Sequence, residues 1–348
     1  MKPSRDPRRA ELLRWYRKHQ RDLPWRRTRD PYAVWVSEIM LQQTRVETVI
    51  PFYARFLGRF PTVAALAAAS ETDVLAAWSG LGYYRRARNL RAAAAAMVRD
   101  HGGRVPASPE ALRELPGIGS YTAAAIASIA FGTPLPAVDG NVIRVLSRWY
   151  GLRGGRDDAK LRRDVEARAA ALAPGPSPGD WTQALMELGA TRCLPRDPLC
   201  ERCPVAGACR ACRSGRPDRF PHAAKPPAVR RERRVLLLVR RRSSVLLVPD
   251  PADDGITLAP PSAAVGEHGD PRRVANALAR AHGATPKGVA AARTIRHRTY
   301  SHDYSIEVWE ASPDKARLDA TGGGRWSRLA ELDRLPLRSV TLKALQKL

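Results

Sequence analysis

The hydrophobic and polar positions of this chain follow two different periods. As far as about residue 192, apolar residues recur at helical spacing in short segments separated by proline and glycine, which predicts an all-α region. After an amphipathic helix that begins around residue 10, helices are expected at residues 31–43, 48–56, 71–77, 85–101, 108–115, 120–131, 140–150 and 160–171. Beyond residue 234 the pattern predicts an α+β region, with strands at 235–239, 245–248 and 294–309 and a helix at 271–281.

Caps and composition suggest the limits of these regions. The pairs Asp30-Pro31 and Ser108-Pro109 place a capping side chain before a proline at the first helical position, which indicates helix starts. Residues 213–234 are rich in proline and arginine without apolar periodicity, as is typical of a linker that can itself touch DNA phosphates. We therefore expect a helical region at 1–212, a basic linker at 213–234 and a smaller domain at 235–348.

The composition favours a globular protein that binds nucleic acid. Hydrophobic residues make up 44% of the 348 positions, which is enough for real cores, and 59 Lys and Arg face 34 acidic residues. A net charge of +25 suits the neutralisation of phosphates, although an arginine- and alanine-rich source proteome would also raise it. The basic start carries no apolar leader, and the apolar run at 122–138 is interrupted by glycine and proline. We expect an intracellular protein without a membrane span.

Four of the five cysteines lie close together, as Cys193-x6-Cys200-x2-Cys203-x5-Cys209. Four thiolates at this spacing can hold an iron–sulfur cluster or a tetrahedral zinc, whereas disulfides are unusual in a chain with no secretory leader. Zinc sites usually contain two short Cys-x-x-Cys pairs, and here only Cys200 and Cys203 form one. The spacing thus favours a cluster over zinc, and Cys212 is left over as a free thiol.

Two motifs in the helical region are consistent with a nucleic-acid site. The sequence LPGIGS at 115–120 joins two helices through Gly117 and Gly119 and leaves backbone N–H groups that can hold a phosphate, although an ordinary helical hairpin has the same composition. Asp139 follows in the sequence VDGNV at 138–142, just ahead of an apolar helix. Considered alone, Asp139 is better explained as a helix N-cap than as a catalyst.

Glu38, in the sequence WVSEIMLQQT at 35–44, is the third candidate. On a helix its neighbours include Val34, Trp35 and Leu41, so its carboxyl should be partly desolvated, with a raised pKa that suits a general acid. Taken in isolation, Glu38 is better explained as a glutamate at the edge of an amphipathic helix than as a catalyst. A second carboxylate in the same cleft would favour catalysis, because glycosidic bond cleavage needs an acid and a partner for the developing positive charge.

Together these motifs resemble the endonuclease III superfamily of DNA glycosylases, in which a helix-hairpin-helix, a downstream aspartate and a four-cysteine loop occur in this order. RDLPWR at 21–26, residues 35–44, GLGYY at 80–84 and RARN at 86–89 are similar to the MutY adenine DNA glycosylases nearly residue for residue, over about residues 10–210. The resemblance implies an all-α helix-hairpin-helix domain with an iron–sulfur cluster loop, followed by an α+β Nudix-like domain. It implies a six-helix barrel at about 30–135 and a cluster-bearing half at 1–29 and 136–212.

The resemblance also implies a function in DNA base excision repair. A monofunctional glycosylase would remove adenine mispaired with 8-oxoguanine or guanine in double-stranded DNA, and would act as a monomer near the nucleoid in the cytoplasm of a bacterium. Glu38 would protonate adenine, Asp139 would face the sugar, and Tyr121 stands where bifunctional relatives have a nucleophilic lysine. The ligands of a [4Fe–4S] cluster would be Cys193, Cys200, Cys203 and Cys209.

Other matching positions would contact the flipped base and the duplex. By resemblance, Gln43 and Tyr83 wedge into the DNA, and the hairpin glycines Gly117 and Gly119 lie at the phosphates. The adenine pocket would be lined by Arg21, Leu23, Trp25, Arg26 and Gln183. Core packing remains an alternative role for Trp25 and Tyr83.

The C-terminal region resembles the Nudix-like module with which the family reads 8-oxoguanine. Residues 296–302, RHRTYSH, are similar to the family's Phe-Ser-His loop, which implies a lesion contact by Tyr300, Ser301 and His302. The family's Gly-Leu-Trp-Gly-Gly stretch is replaced by DDGITLAP at 253–260, and the acidic hydrolase box is missing. We expect altered lesion checking and no nucleotide hydrolysis.

Two other functions are compatible with parts of the pattern. A bifunctional glycosylase and lyase acting on oxidised pyrimidines would share the fold, but Tyr121 and the additional domain disfavour it. A non-catalytic DNA-binding module could use the same scaffold, but it would not need both Glu38 and Asp139.

Overall fold

The structure, a computed structural model, describes residues 6–155, 158–222, 229–253, 255–299, 301–313 and 324–346. It divides into two compact units, residues 1–67 with 92–225 and residues 68–91 with 226–348. The domain limits expected from the sequence, 1–212, 213–234 and 235–348, remain predictions. In the described ranges no helix combines the length and hydropathy needed to cross a membrane.

Helices dominate the chain as far as residue 213. They are α1 Pro7–His19, α2 Pro31–Leu41, α3 Val46–Arg59, α4 Val63–Ala68, α5 Glu71–Ala77, α6 Arg85–His101, α7 Pro109–Glu114, α8 Ser120–Phe131, α9 Gly140–Tyr150, α10 Ala159–Leu172, α11 Pro178–Thr191 and α12 Arg210–Arg213. The predictions for α5, α6, α8 and α9 are confirmed to the residue. The expected helix at 31–43 stops at Leu41 instead, because Gln43 adopts a left-handed backbone with φ of 57°.

Side-chain caps explain several helix starts. Asp30 accepts a hydrogen bond from the backbone N–H of Tyr32 at 3.1 Å, and Ser108 accepts one from Ala111 at 3.3 Å, each before a proline at the first helical position. Asp139 caps α9 in the same way, through the N–H of Val142 at 2.7 Å. The cap predictions for these three helices are confirmed.

One core of the first unit lies where α1, α9, α10 and α11 meet. Trp149 and Trp181 are buried there with their ring centroids 6.4 Å apart, surrounded by aliphatic side chains such as Leu12, Val165 and Leu188. The side of α12 carrying Ala211 packs on the same core. A smaller cluster joins α2 to α8. These two helices carry Glu38 and Tyr121, so their packing determines the distance between those side chains.

The second unit contains a mixed sheet with helices on both faces. Its strands are β1 Arg230–Arg241, β2 Ser244–Pro249, β3 Leu258–Ala259, β4 Ser262–Val265, β5 Ala290–Arg298, β6 His302–Ala311 and β7 Arg325–Arg328, and its helices are α13 Pro271–Ala281 and α14 Ser339–Leu345. The main strand order is β3-β2-β1-β6-β5, with β1 parallel to β6. Leu237 of β1 packs in the core that contains α13, whereas Leu238 packs in the core that contains α14, as strand alternation requires.

Two expectations for this unit need correction. The run expected as one strand at 294–309 is two antiparallel strands, β5 and β6, separated by a turn in which Thr299 N–H donates to the His302 carbonyl at 2.8 Å. The strand expected at 235–239 begins earlier, at Arg230, where the backbone pairs with His302. Residues 230–234 form a strand despite their linker-like composition, because their backbone pairs with β6 and exposed side chains of a strand need not be apolar.

The second unit also includes the helical segment 68–91. Ser79 Oγ donates to the carbonyl of Leu337 at 3.1 Å and accepts from its N–H at 3.3 Å, and the Tyr84 hydroxyl donates to the same carbonyl. The backbone at Leu337, a fully buried residue, therefore holds both ends of the turn that carries Tyr83.

Candidate active site

A pocket of about 400 Å³ in the first unit is lined by both candidate catalytic carboxyls, Glu38 and Asp139. It lies among α2, α8, α11 and the loop that precedes α9. Its lining includes every residue that the sequence suggested for catalysis or for adenine binding, together with Gln43: Arg21, Leu23, Trp25, Arg26, Glu38, Gln43, Tyr121, Asp139 and Gln183. Residues far apart in the sequence thus meet in a cavity of a size typical for small-molecule sites.

Glu38 is a buried carboxyl, only 7% exposed. Its pKa is raised to about 7, mainly because burial removes the hydration of the charged form and also because of the nearby charge of Asp139. The Tyr121 hydroxyl donates to Glu38 Oε2 at 3.2 Å and opposes this shift, as does the positive charge of Arg26. Glu38 can therefore carry a proton at neutral pH and still lose it, which is what a general acid needs.

Asp139 is half-buried at the first turn of α9 and has two roles in the structure. Its Oδ1 caps the helix through Val142, and its Oδ2 accepts a hydrogen bond from Asn141 Nδ2 at 2.9 Å. Asn141 in turn accepts from Arg144 at 2.8 Å, and Arg144 donates to the carbonyl of Cys193 at 2.7 Å. The capping role and the position in the pocket are therefore compatible, and this chain of contacts connects the pocket to the cysteine loop.

Glu187, which the sequence did not indicate, binds the two arginines that line the pocket. Its side chain is fully buried and binds Arg21 and Arg26, each at 2.8 Å. Burial alone would raise the pKa of Glu187, but the hydrogen bonds and charges of the two arginines lower it to about 2. The spacing of Gln183 and Glu187, one helical turn apart on α11, is the sequence signal that could have identified it.

The remaining lining is partly apolar. Trp25 is buried and meets Tyr53 edge to face at 5.5 Å, while Leu23 is also buried. Trp25 therefore packs in the core and lines the pocket as well. Gln183 is 8% exposed on α11, and Met186 lies with its sulfur 3.7 Å from the Tyr121 hydroxyl.

The two wedge candidates share an uncommon backbone. Gln43 has φ of 57° and Tyr83 has φ of 50°, and positive values are uncommon for residues other than glycine. Tyr83 is 57% exposed, so the alternative of a core aromatic is wrong for this residue. The Arg86 guanidinium lies 5.5 Å from the centre of its ring and donates to the Gly82 carbonyl at 3.0 Å. Both side chains therefore extend from a backbone held in the left-handed conformation.

The hairpin predicted at 115–120 is present between α7 and α8. Gly117 has φ of 77°, a conformation that favours glycine, and Gly119 is the N-cap of α8 with open space where a Cβ would stand. The backbone N–H groups at the start of α8 therefore face a surface that a phosphate could approach.

All five cysteines line one small cavity beside α9, together with Arg148 and Trp149. Arg148 is buried, donates to Cys193 Sγ at 3.3 Å, and binds the carbonyls of Leu194 and Pro217 at 2.7 and 2.9 Å. Burial raises the pKa of Cys203 to about 12 and that of Cys200 to about 11. Cys212, left aside by the spacing argument, lies in this cavity. Within the described ranges, no three Cys, His, Asp or Glu side chains are placed to hold one metal ion.

Two of the C-terminal candidates lie in the second unit, Ser301 between β5 and β6 and His302 at the start of β6. Tyr300 lies outside the described residues. Ser301 is exposed, its hydroxyl is 2.9 Å from His302 Nδ1, and the ring of His302 stacks on Tyr304 with centroids 5.3 Å apart. In the stretch that replaces the family's glycine-rich loop, Asp253 accepts hydrogen bonds from the backbone and hydroxyl of Thr257.

The chain is similar to known DNA repair proteins. Residues 36–170 match the HhH-GPD superfamily of base excision DNA repair proteins. The adenine DNA glycosylase of Mycolicibacterium smegmatis is 43% identical over 198 residues, which cover 57% of this chain and 67% of that protein. The chain belongs to the adenine DNA glycosylase family.

Further relatives of the family show how far the similarity extends. The adenine DNA glycosylase of Rattus norvegicus is 49% identical over 212 residues, which cover 58% of this chain and 41% of the relative, so the chain spans about two fifths of that protein's length. A thermostable thymine-DNA glycosylase of known structure is 30% identical, with a TM-score of 0.54, over 59% of this chain and 95% of its own. The superfamily match contains Glu38, Tyr121 and Asp139, whereas residues 21–26, Gln183 and the cysteines lie outside it.

Proposed function

We propose that this protein is a monofunctional adenine DNA glycosylase that hydrolyses the N-glycosidic bond of adenine mispaired with 8-oxoguanine or guanine. The observation that carries the proposal is the meeting of Glu38 and Asp139 in one pocket, with the Glu38 pKa near neutrality. Membership of the adenine DNA glycosylase family supports it. Two carboxyl groups in different environments are the minimum that glycosidic bond cleavage requires.

Glu38 is proposed as the acid that makes adenine a leaving group. Adenine departs poorly as an anion, so a proton delivered to its ring is worth on the order of 100- to 10,000-fold in rate. The buried position of Glu38 keeps the proton available at neutral pH. Tyr121 orients the carboxyl by donating to Oε2, which leaves the other oxygen to face the base.

Asp139 is proposed to stabilise the sugar once the bond lengthens. The sugar then resembles an oxocarbenium ion, and a carboxylate beside it can stabilise the positive charge or trap it covalently until water completes hydrolysis. The hydrogen bonds from Val142 and Asn141 hold the Asp139 carboxylate in one orientation before the reaction.

The other pocket residues would select and hold the base. The target must leave the helical stack, and Gln43 and Tyr83 are proposed to fill the gap behind it. Leu23 and Trp25 provide apolar surface for a flat ring, and the Gln183 amide can hydrogen-bond an adenine edge. Arg21 and Arg26 share the single carboxylate of Glu187, which leaves net positive charge at the pocket that can contact the phosphates or the base.

A [4Fe–4S] cluster is the proposed cofactor, held by Cys193, Cys200, Cys203 and Cys209. The residues fit it, because these thiols line one cavity, Arg148 donates to Cys193, and backbone N–H groups donate to Cys203 and Cys209. When bound, the cluster would hold the loop at 193–209 in shape as a DNA-contacting surface.

Double-stranded DNA is the proposed partner, bound by a monomer in the cytoplasm close to the chromosome. The net charge of +25 and the hairpin with Gly117 and Gly119 support phosphate contacts. Tyr300, Ser301 and His302 are proposed to read 8-oxoguanine opposite the adenine, from a domain that we propose to be Nudix-like. The changed stretch at 253–260 supports a weaker preference for that lesion than the family's glycine-rich loop would provide.

Base-release kinetics on duplexes that differ only in the base opposite adenine would test the proposal. We expect single-turnover adenine release opposite 8-oxoguanine and guanine, and little opposite thymine. Release of oxidised pyrimidines, or of no base at all, would contradict it. Borohydride trapping distinguishes a monofunctional glycosylase from a bifunctional one, because only a lyase leaves a Schiff-base adduct on DNA. We expect no adduct, since Tyr121 has no amine that could form one.

A further inference from the structure

The cavity that we assign to the cluster has one thiol more than the cluster needs. Cys193, Cys200, Cys203, Cys209 and Cys212 all line it, although the spacing of the sequence accounts for only four. All five cysteines are free of disulfide bonds in the structure. The fifth thiol is therefore a neighbour of the proposed ligands and not an unrelated surface group.

Cys212 is held against the cavity by local structure. Cys209 is the N-cap of α12, and Cys212 follows it by three residues, so the two side chains share one side of this single helical turn. The backbone on either side is fixed, because Arg213 N–H donates to the Cys209 carbonyl at 3.1 Å and Gly215 N–H donates to the Cys212 carbonyl at 3.0 Å. The Cys212 thiol is hydrogen-bonded to Cys200.

Cys200 also differs from the other proposed ligands in the groups that support its sulfur. Cys193 receives a hydrogen bond from Arg148, Cys203 from the N–H of Val205, and Cys209 from the backbone of α12. Such N–H donors stabilise a bound thiolate. Beyond the effect of burial, the hydrogen bond with Cys212 raises the pKa of Cys200, so Cys200 donates it and it gives a Cys200 thiolate no support. Cys200 is therefore the position at which one sulfur could most easily replace another.

We propose that Cys212 is a reserve ligand, able to replace Cys200 on one iron of the cluster. This inference rests on the proposed [4Fe–4S] cofactor. The exchange breaks one Fe–S bond to Cys200 and forms one to Cys212, and the proton lost by the Cys212 thiol passes to the released Cys200 thiolate. No electron is transferred, so the exchange needs neither oxidant nor reductant.

Iron and sulfide content after anaerobic purification tests the exchange independently of enzyme activity. We expect about four irons per chain in the unaltered protein and in Cys212→Ser, with absorption near roughly 400 nm. Cys200→Ser should keep most of its iron. The double variant Cys200→Ser with Cys212→Ser should lose it, as should the control Cys203→Ser, whose sulfur has no spare neighbour assigned to it.

The outcomes separate this inference from the cofactor proposal. Iron loss in Cys200→Ser as complete as in Cys203→Ser, or full iron retention in the double variant, would overturn the reserve role of Cys212. Absence of iron from the unaltered protein would instead overturn the cofactor itself. Alkylation followed by mass spectrometry adds a second measurement on folded, iron-loaded protein: Cys212 should be modified in the unaltered chain and protected in Cys200→Ser. Equal modification of Cys212 in both would contradict the exchange.

Discussion

The pocket around Glu38 and the turn at Ser301 and His302 differ in how firmly the structure holds them. The pocket is built from the packed helices α2, α8 and α11, and hydrogen bonds or ion pairs hold Glu38, Asp139 and Glu187 in it. Between β5 and β6, Ser301 is exposed and contacts its own neighbour His302. Catalysis, as proposed, depends on a preorganised interior, whereas lesion reading depends on a surface turn.

This difference predicts which property each region controls. Changes in the pocket should remove chemistry while leaving the fold and duplex binding intact, because an isosteric side chain keeps the packing but cannot transfer a proton or carry the charge. Changes at the turn should alter the preference among mispairs while leaving the chemical step in place. The following variants test that division, beginning with the largest expected effect.

Glu38→Gln should reduce adenine release on the order of 100- to 10,000-fold, because the amide fills the same space but cannot deliver a proton. Duplex binding, measured by fluorescence anisotropy, should stay within about threefold of the unaltered protein. Glu166→Gln, an equivalent change at an exposed position of α10, serves as control and should leave the rate unchanged. Near-normal release by Glu38→Gln would rule out its role as the acid.

Asp139→Asn should slow release by roughly 100- to 1000-fold, because a neutral amide stabilises the positive sugar far less than a carboxylate does. Asparagine caps helices about as well as aspartate, so the free energy of unfolding should fall by less than about 1 kcal/mol. The matched control is Asp158→Asn, which alters the N-cap of α10 away from the pocket. A slow Asp139→Asn variant that is also much less stable would indicate that the residue acts only as a cap.

Replacing Ser301 and His302 together with alanine should reduce the preference for adenine opposite 8-oxoguanine over adenine opposite guanine by about tenfold. A lost hydrogen-bonded contact of this kind is worth about 1–3 kcal/mol, and only the oxidised base makes it. The double change Ser243→Ala with His268→Ala alters exposed positions elsewhere in the same unit and serves as the control. Equal slowing on both mispairs would mean that the turn holds DNA without reading the lesion.

Tyr121→Phe should have the smallest effect, less than about tenfold at neutral pH, because it removes one hydrogen bond and no charge. The Tyr121 hydroxyl lowers the pKa of Glu38, so its removal should raise that pKa and move the fall in activity to higher pH. Tyr32→Phe, which removes another buried tyrosine hydroxyl with a carbonyl partner, is the control. A pH profile that does not move would show that the hydroxyl does not influence the acid.

Local signals explain why so much of the helical region could be predicted. Helices α8 and α9 begin at a glycine hairpin and at the Asp139 cap, both of which act on residues a few positions away. The same locality explains the error at α2, where the end of the helix depends on the left-handed backbone of Gln43, which no neighbouring glycine or proline indicates.

Contacts between distant residues explain what the sequence could not reveal. Glu187 acquires its importance by binding Arg21 and Arg26 from the segment between α1 and α2, and the parallel pairing of β1 with β6 joins strands far apart in the chain. The position of Cys212 beside Cys200 likewise depends on how the loop at 193–209 folds back toward α12. Periodicity and spacing record none of these contacts.

The pH dependence of single-turnover adenine release by the unaltered protein tests acid catalysis by Glu38 most directly. Burial raises the pKa of Glu38 to about 7, and the protonated form is the proposed acid. On a saturating duplex with 8-oxoguanine opposite adenine, the rate should be level below that value and should fall by about tenfold per pH unit above it. A rate that stays constant or rises between about pH 7 and about pH 9 would contradict the account.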